Sequence, residues 1–216
     1  SRQRSGLIVS QGGDTQVRSI TVRNNIMYNN ADAGIDLTNY GSLNMQNIKV
    51  YHNTIYGSGS GITFGYNKLT GTKIRNNIFA SSGTDIDGVS GGGITVSSNL
   101  YWPAMNNNGV TDSSPVTGDP MFVNKASNDV HIQATSAAID RGANLVASVP
   151  TDKDGITRPQ GSAPDIGAYE YFTPGPDTTP PFLSNGQPTG NLPAGTTSTA
   201  MSVTTNEAAG CRYSTT

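Results

Sequence analysis

Between Gly6 and Trp102 the chain repeats one short phrase four times, and that repeat constrains the fold more tightly than composition does. Val22-Arg23-Asn24-Asn25-Ile26-Met27-Tyr28 aligns with Val50-Tyr51-His52-Asn53-Thr54-Ile55-Tyr56, with Ile74-Arg75-Asn76-Asn77-Ile78-Phe79 and with Val96-Ser97-Ser98-Asn99-Leu100-Tyr101-Trp102. The second asparagine of each phrase (Asn25, Asn53, Asn77, Asn99) returns after 28, 24 and 22 residues. A second phrase runs in step with it: Gly6-Leu7-Ile8-Val9, Gly34-Ile35-Asp36-Leu37, Gly61-Ile62-Thr63-Phe64 and, more weakly, Asp85-Ile86-Asp87-Gly88. Self-similarity at such periods marks a stack of repeats, each burying its apolar face on its neighbours. Short alternating blocks in place of helical ones make the stack a β-solenoid.

Alternation assigns the faces, because successive strand residues point to opposite sides. Ile20, Val22, Ile48, Val50, Ile74, Ile94 and Val96 are expected inside. Thr21, Arg23, Lys49, Tyr51, Lys73, Arg75, Thr95 and Ser97 are expected outside. In the second phrase Ile35, Leu37, Ile62 and Phe64 point in, while Asp36 and Thr63 point out. Coils stack about 4.8 Å apart, so equivalent residues become neighbours. The repeated asparagine sits where a strand must turn; Asn tolerates left-handed backbone, and its amide can bond the equivalent amide of the next coil. That ladder reads as scaffold.

Only 34% of the 216 residues are hydrophobic, with 26 Gly and 12 Pro. This is lean for a globule but adequate for a solenoid, whose coils bury few side chains each. The formal net charge of −2 gives no global field that would attract nucleic acid. No apolar run reaches the length of a membrane span. The single cysteine, Cys211, excludes an internal disulfide; it reads as a small buried hydrophobe, with an intermolecular link as the alternative. The solenoid pattern is already under way at Gly6 and no signal peptide precedes it, so the sequence reads as the C-terminal portion of a longer secreted or cell-surface protein.

After the coils comes Asp119-Pro120-Met121-Phe122-Val123-Asn124, then Asp129-Val130-His131-Ile132-Gln133-Ala134-Thr135-Ser136-Ala137-Ala138-Ile139-Asp140-Arg141-Gly142. Thr151-Asp152-Lys153-Asp154-Gly155-Ile156-Thr157-Arg158-Pro159 and Pro164-Asp165-Ile166-Gly167-Ala168-Tyr169-Glu170-Tyr171 follow. Together with the coils these phrases resemble right-handed parallel β-helix repeat proteins of the pectate-lyase-like and chondroitinase-like class. The likeness covers roughly residues 6–171, including the "DPxF…SPAIDxG…DxDGxxRP…DIGAYEY" ending, with Ala137 where a proline is usual. The resemblance implies an all-β fold, a right-handed parallel β-helix over residues 1–118 closed by a C-terminal cap over 119–172. A cap would cover the open end of the stack, with Phe122, Ile132, Ile139, Ile166 and Tyr169 as its plug and Asp152, Asp154, Arg158 and Asp165 as a locking network. The rival reading of Asp152, Asp154 and Asp165 is a calcium site, though the closing glutamate of an EF-hand loop is missing. No cofactor is required by the sequence.

From Thr173 to Pro181 the chain reads as a stiff linker. Residues 182–216, with candidate strands Thr199–Thr204 and Cys211–Ser214, resemble the opening of a bacterial immunoglobulin- or fibronectin-type module. Such sandwiches need about 100 residues, so this module is incomplete and needs truncation, docking or another chain to account for it.

Two outward columns carry charge. Asp36–Thr63–Asp87 places two carboxylates two coils apart, ~10 Å at 4.8 Å per coil, at the upper edge of the ~6.5–9.5 Å used by inverting glycosidases. Solubilising carboxylates are the simpler reading. Thr21–Lys49–Lys73–Thr95 beside Arg23–Tyr51–Arg75–Ser97 forms a basic strip suited to the carboxylates or sulfates of an acidic polysaccharide. Arg23, Lys49, Tyr51, Lys73 and Arg75 are the candidate binding residues. If the chain is a lyase, as the resemblance allows, Lys49, Lys73, Arg75 or His52 is the candidate base. Trp102 and Tyr101 are offered either to sugar or to packing beneath the cap. The expected function is therefore carbohydrate binding or cleavage outside the cell. The alternative is a surface adhesin or fibre subunit that self-associates through open β edges.

Overall fold

Left-handed residues set the corners of every coil. Ser19, Asn47, Gly71 and Gly93 form one column of positive φ, Asn24, His52, Asn76 and Ser98 a second, and Asn29 and Gly57 a third. Each lies where the chain must turn sharply between short strands, which is why Asn and Gly recur there. The computed structural model describes residues 4–13, 15–41, 43–65, 69–80, 82–88, 93–173 and 179–210. The chain divides into two units, Ser1–Phe172 and Thr173–Thr216.

The first unit is a right-handed parallel β-helix with three main faces. Sheet I stacks Ser5–Gln11, Ala33–Asn39, Ser60–Gly65 and Thr84–Asp87. Sheet II stacks Thr21–Arg23, Lys49–Tyr51, Thr72–Arg75 and Ile94–Ser97. Sheet III stacks Ile26–Tyr28, Thr54–Tyr56, Ile78–Ala80, Leu100–Trp102 and Val116–Thr117. The registers follow the repeat: Val22, Val50, Ile74 and Val96 align on sheet II, and Ile35, Ile62 and Ile86 align on sheet I. Coils shorten along the stack, from 28 residues between Met27 and Ile55 to 24, 22 and finally 16 between Tyr101 and Thr117. The last coil is contracted to single contacts on two faces, Asn108 against Asp87 and Asp112 against Val96.

The interior holds Val22, Val50, Ile74 and Val96 from sheet II, Ile35, Leu37, Ile62 and Ile86 from sheet I, and Met27, Ile55, Phe79 and Tyr101 from sheet III. The recurrent glycine of sheet I now has a cause. A methyl at Gly34 would meet Ile55, and one at Gly61 would meet the Phe79 ring and Asp85 O. In the fourth coil Asp85 takes this place, buried, with a carboxylate oxygen accepting from Asn106 N–H at 2.7 Å. Burial raises its pKa to about 6.

The asparagine ladder is continuous. Asn25 Nδ2 donates to Asn53 Oδ1 at 3.0 Å, Asn53 to Asn77 at 2.9 Å and Asn77 to Asn99 at 2.9 Å. Asn99 Nδ2 donates to Asp112 Oδ2 at 2.8 Å. The ladder ends on a carboxylate, which needs no further acceptor of its own.

The segment expected to plug the end of the stack lies instead along its side. Ile26, Ile78 and Leu100, with Tyr56 and Ala80, point outward from sheet III and form a second apolar layer with Val130, Ile132, Ala138, Ile166, Ala168 and Tyr169. Phe122 and Ile139, the other expected plug residues, pack at its margin. Segment 142–168 then crosses the corner between sheets II and III. Asn76 Nδ2 donates to Ala143 O, Asn24 Nδ2 donates to Thr151 O, Gly167 N donates to Asn76 O and Ala168 N donates to Thr54 Oγ1. The physical reason is an apolar outer face that must be covered, while the contracted fifth coil already extends the stack.

In the second unit Leu183–Gln187 pairs antiparallel with Ser202–Thr205. The second strand overlaps the expected Thr199–Thr204. Cys211–Ser214, and with it Cys211, falls outside the described residues.

Candidate functional site

Sheet II is where outward polar side chains gather, and its register is the one the repeat predicts. Thr21, Lys49, Lys73 and Thr95 form one outward column, and Arg23, Tyr51, Arg75 and Ser97 the next. The first column is open. Ser19, Thr21, Asn47, Lys49, Gly71 and Lys73 line a shallow groove of about 340 Å³. Among the described residues neither lysine takes part in an ion pair. Two ammonium groups on adjacent rungs, about 4.8 Å apart along the stack, repel one another.

The second column is largely closed, since it runs beside the corner that segment 142–168 crosses. Tyr51 is only 3% exposed and Ser97 9%. Burial raises the Tyr51 phenol, opposed by the Arg75 charge. Arg23, in the first coil, stays exposed. His52 lies under the crossing segment with no exposed surface, its Nε2 2.9 Å from Asn76 Nδ2. Burial first, and the Arg158 charge second, hold its pKa down to about 3. A side chain so placed is a neutral packing element, and it does not face the groove.

The acidic column of sheet I has Asp36, Thr63 and Asp87 in register. Asp36 Oδ1 accepts from Thr38 Oγ1, and Asp87 Oδ1 accepts from Asn108 Nδ2 at 2.9 Å. Both carboxylates are engaged with their own scaffold. The acidic residues of the crossing segment are engaged likewise. Asp152 Oδ1 accepts from Asp154 and Ile156 N–H, each at 2.8 Å, and Oδ2 accepts from Glu170 N–H at 3.0 Å. Asp165 accepts from Asp140 and Tyr171 N–H, and burial lifts its pKa to about 6. Arg158 pairs with Glu170 rather than with an aspartate, at 2.5 Å with neither side chain exposed. Among the described residues no group of three or more His, Cys, Asp or Glu is arranged to hold a metal ion.

A family model described as "Right handed beta helix region" matches residues 3–135. The chain belongs to the right-handed β-helix family. Neither a search of curated proteins nor one of solved structures finds a match. Among the described residues no helix is long and apolar enough to cross a membrane.

This β-helix carries one titratable group that sequence reasoning passed over. His131 Nδ1 lies 2.6 Å from Asp129 Oδ1 and Nε2 lies 2.8 Å from Asp154 Oδ2, with the ring stacked on Tyr169 at 3.8 Å. Burial pulls the imidazole down, but the bonds to Asp154 and Asp129 outweigh it and the net pKa is raised. The Asp129-x-His131 spacing on one strand face was the legible part of this cluster. Asp154 arrives from 23 residues away with no local signal. His131, Asp152, Asp154 and Glu170 border a cavity of about 500 Å³. Each is satisfied by a partner within the protein, so the cluster acts as a clamp between the Asp129–Ile132 strand and the 152–156 turn.

Proposed function

We propose that this β-helix protein binds acidic polysaccharide outside the cell or at its surface, with the glycan lying across sheet II over Lys49 and Lys73. The observation that carries the reading is the pair of lysines in register, exposed to a groove and without a carboxylate partner among the described residues. A polyanion relieves their mutual repulsion and supplies charge-assisted hydrogen bonds to both. The flanking Ser19, Thr21 and Asn47 offer hydroxyl and amide groups suited to sugar hydroxyls. Exposed Arg23 extends the positive strip, while Tyr51 and Arg75 shape it from behind. Binding is favoured over bond cleavage, because His52 is enclosed. If cleavage occurs, it is β-elimination from a uronate with Lys49 or Lys73 as base; a calcium ion there would have to be brought by the substrate.

The test is calorimetric titration with polygalacturonate and alginate against neutral glucan, using wild type and K49A/K73A. The expected result is preference for the acidic polymers, weakening as salt is raised, and at least a tenfold loss in the double variant with an unchanged circular dichroism spectrum. Equal binding of neutral glucan, or full affinity in K49A/K73A, overturns the reading. Release of unsaturated uronate, followed by absorbance, decides whether a lyase activity accompanies binding.

A second reading is self-association. Ser5–Gln11, Thr21–Arg23 and Ile26–Tyr28 are edge strands in this chain, and Phe182, Leu183, Met201 and Val203 are exposed around the second unit's hairpin. Light scattering that finds only monomer up to high protein concentration removes this reading.

A further inference from the structure

The outward column at the far end of sheet III reads Tyr28, Tyr56, Ala80, Trp102 in register. Where two aromatic residues occupy adjacent rungs their rings stack: Tyr28 and Tyr56 lie 5.3 Å apart and 10° from parallel. At Ala80 the column lacks a ring. Two rungs separate Tyr56 from Trp102, about 10 Å, which is close to twice a stacking distance. The segment alongside roofs this gap without filling it. Phe122 tilts against Tyr56 at 6.0 Å, and Lys125 Nζ sits 5.5 Å from the Tyr56 ring. A pocket of about 270 Å³ remains, bounded by Ala80, Trp102, Phe122, Asp119, Lys125 and Gln133. Its polar rim is held in place, since Asp119 Oδ1 accepts from Met121 N–H at 2.8 Å and Gln133 Nε2 donates to Phe122 O at 3.0 Å.

We propose, resting on the carbohydrate-binding reading above, that this pocket is a second saccharide site that takes one pyranose ring, as at a chain end or branch. A pyranose has an apolar C–H face and a polar edge. The half-buried indole of Trp102 and the Phe122 ring receive the first. Asp119, Lys125 and Gln133 carry a carboxylate, an ammonium and an amide toward the second. The volume suits a single ring and excludes a chain running through. The pocket lies on a different face from the Lys49–Lys73 groove and shares no residue with it.

Trp102 is the sole tryptophan of the 216 residues, so its emission reports on this pocket alone. The experiment titrates neutral and acidic oligosaccharides, following Trp102 emission and its quenching by acrylamide beside calorimetry. The expected result is a saturable spectral change with protection from quenching, retained in K49A/K73A. It should weaken at least tenfold in D119N/Q133A, two rim changes that leave the apolar layer intact. Calorimetric binding that leaves Trp102 emission and quenching unchanged overturns the pocket while the sheet II groove stands. Wild-type affinity at Trp102 in D119N/Q133A also overturns it. A Trp102 response in a protein whose calorimetry is indifferent to K49A/K73A supports the pocket and removes the groove. Absence of any binding by both methods overturns both.

Discussion

Asn77 closes more hydrogen bonds than any residue of its size other than an amide can supply. Its Nδ2 reaches Asn99 Oδ1 and Val50 O at 2.9 Å and Arg75 O at 3.0 Å, while its Oδ1 accepts from Asn53 Nδ2 at 2.9 Å and Asn53 N at 3.0 Å. Asn77→Ala leaves several buried backbone and amide groups unsatisfied, each worth about 1–3 kcal/mol. A loss on the order of 3–5 kcal/mol in urea unfolding is expected, and a loss below about 1 kcal/mol would show that water replaces the amide. The neighbouring left-handed column makes a pH prediction. His52 has a folded pKa of about 3 against roughly 6.5 unfolded. Its contribution to stability is complete above pH 6.5 and is lost as pH falls, because the unfolded chain takes the proton first. His52→Asn places there the residue already found at Asn24 and Asn76, with the same sign of φ. Between pH 7 and pH 5 the difference in unfolding free energy should move in the variant's favour by about 2 kcal/mol. Asp85 and Asp165, raised to about 6, act oppositely: their contribution is present below about 3.8 and is lost as pH rises through 6. Present in both proteins, they cancel in the difference. A shift under about 0.5 kcal/mol would mean that His52 is solvated in the native state.

At the scale of strands, sheets I and III are matched pairwise across the interior. Gly34 faces Ile55 and Gly61 faces Phe79, so the small residue of one strand makes room for the large residue of another. Gly61→Ala sets a methyl against Asp85 O, a backbone atom that cannot swing aside, as well as against the ring. Overpacking of this kind costs about 1–3 kcal/mol. A lowered denaturation midpoint with an unchanged denaturant slope is the expected outcome; an unchanged midpoint would show that the coils separate freely at this rung. Such pairs explain how much was legible beforehand. Equal spacing of Val22, Val50, Ile74 and Val96 dictates register, and alternation dictates which of them are buried. The contracted fifth coil was not legible, since Asp112 replaces the asparagine phrase and its return comes after 16 residues. Nor was the covering of Tyr51 and His52, because the strand that bears them carries no mark of a segment arriving from Ala143 and Thr151, some ninety to a hundred residues further on. The open lysine column was legible because no such cover lies over it.

Across the whole first unit the crossing segment changes what a solenoid does when it unfolds. A bare stack behaves as a chain of nearest-neighbour units, free to fray coil by coil from either end. Here Asn24 of the first coil, Thr54 of the second and Asn76 of the third all bond the same segment, and loss of one rung strains the bonds to the others. The segment's anchor is the buried Arg158–Glu170 pair, which also gathers Asp165 O at 3.2 Å and Gly167 O at 3.0 Å. Removing one partner of a buried pair strands the other charge, at roughly 3–5 kcal/mol. Wild type should therefore unfold in one transition, with Trp102 emission and far-ultraviolet circular dichroism coinciding. Arg158→Met leaves Glu170 charged in an apolar layer and releases the segment first. Its two probes should separate, with Trp102, beside the covered face of sheet III, moving at lower denaturant than the strand signal. Two coincident transitions in Arg158→Met would place the cooperativity in the coils themselves, and the asparagine ladder, which links four successive coils and the contracted fifth, would then be its source.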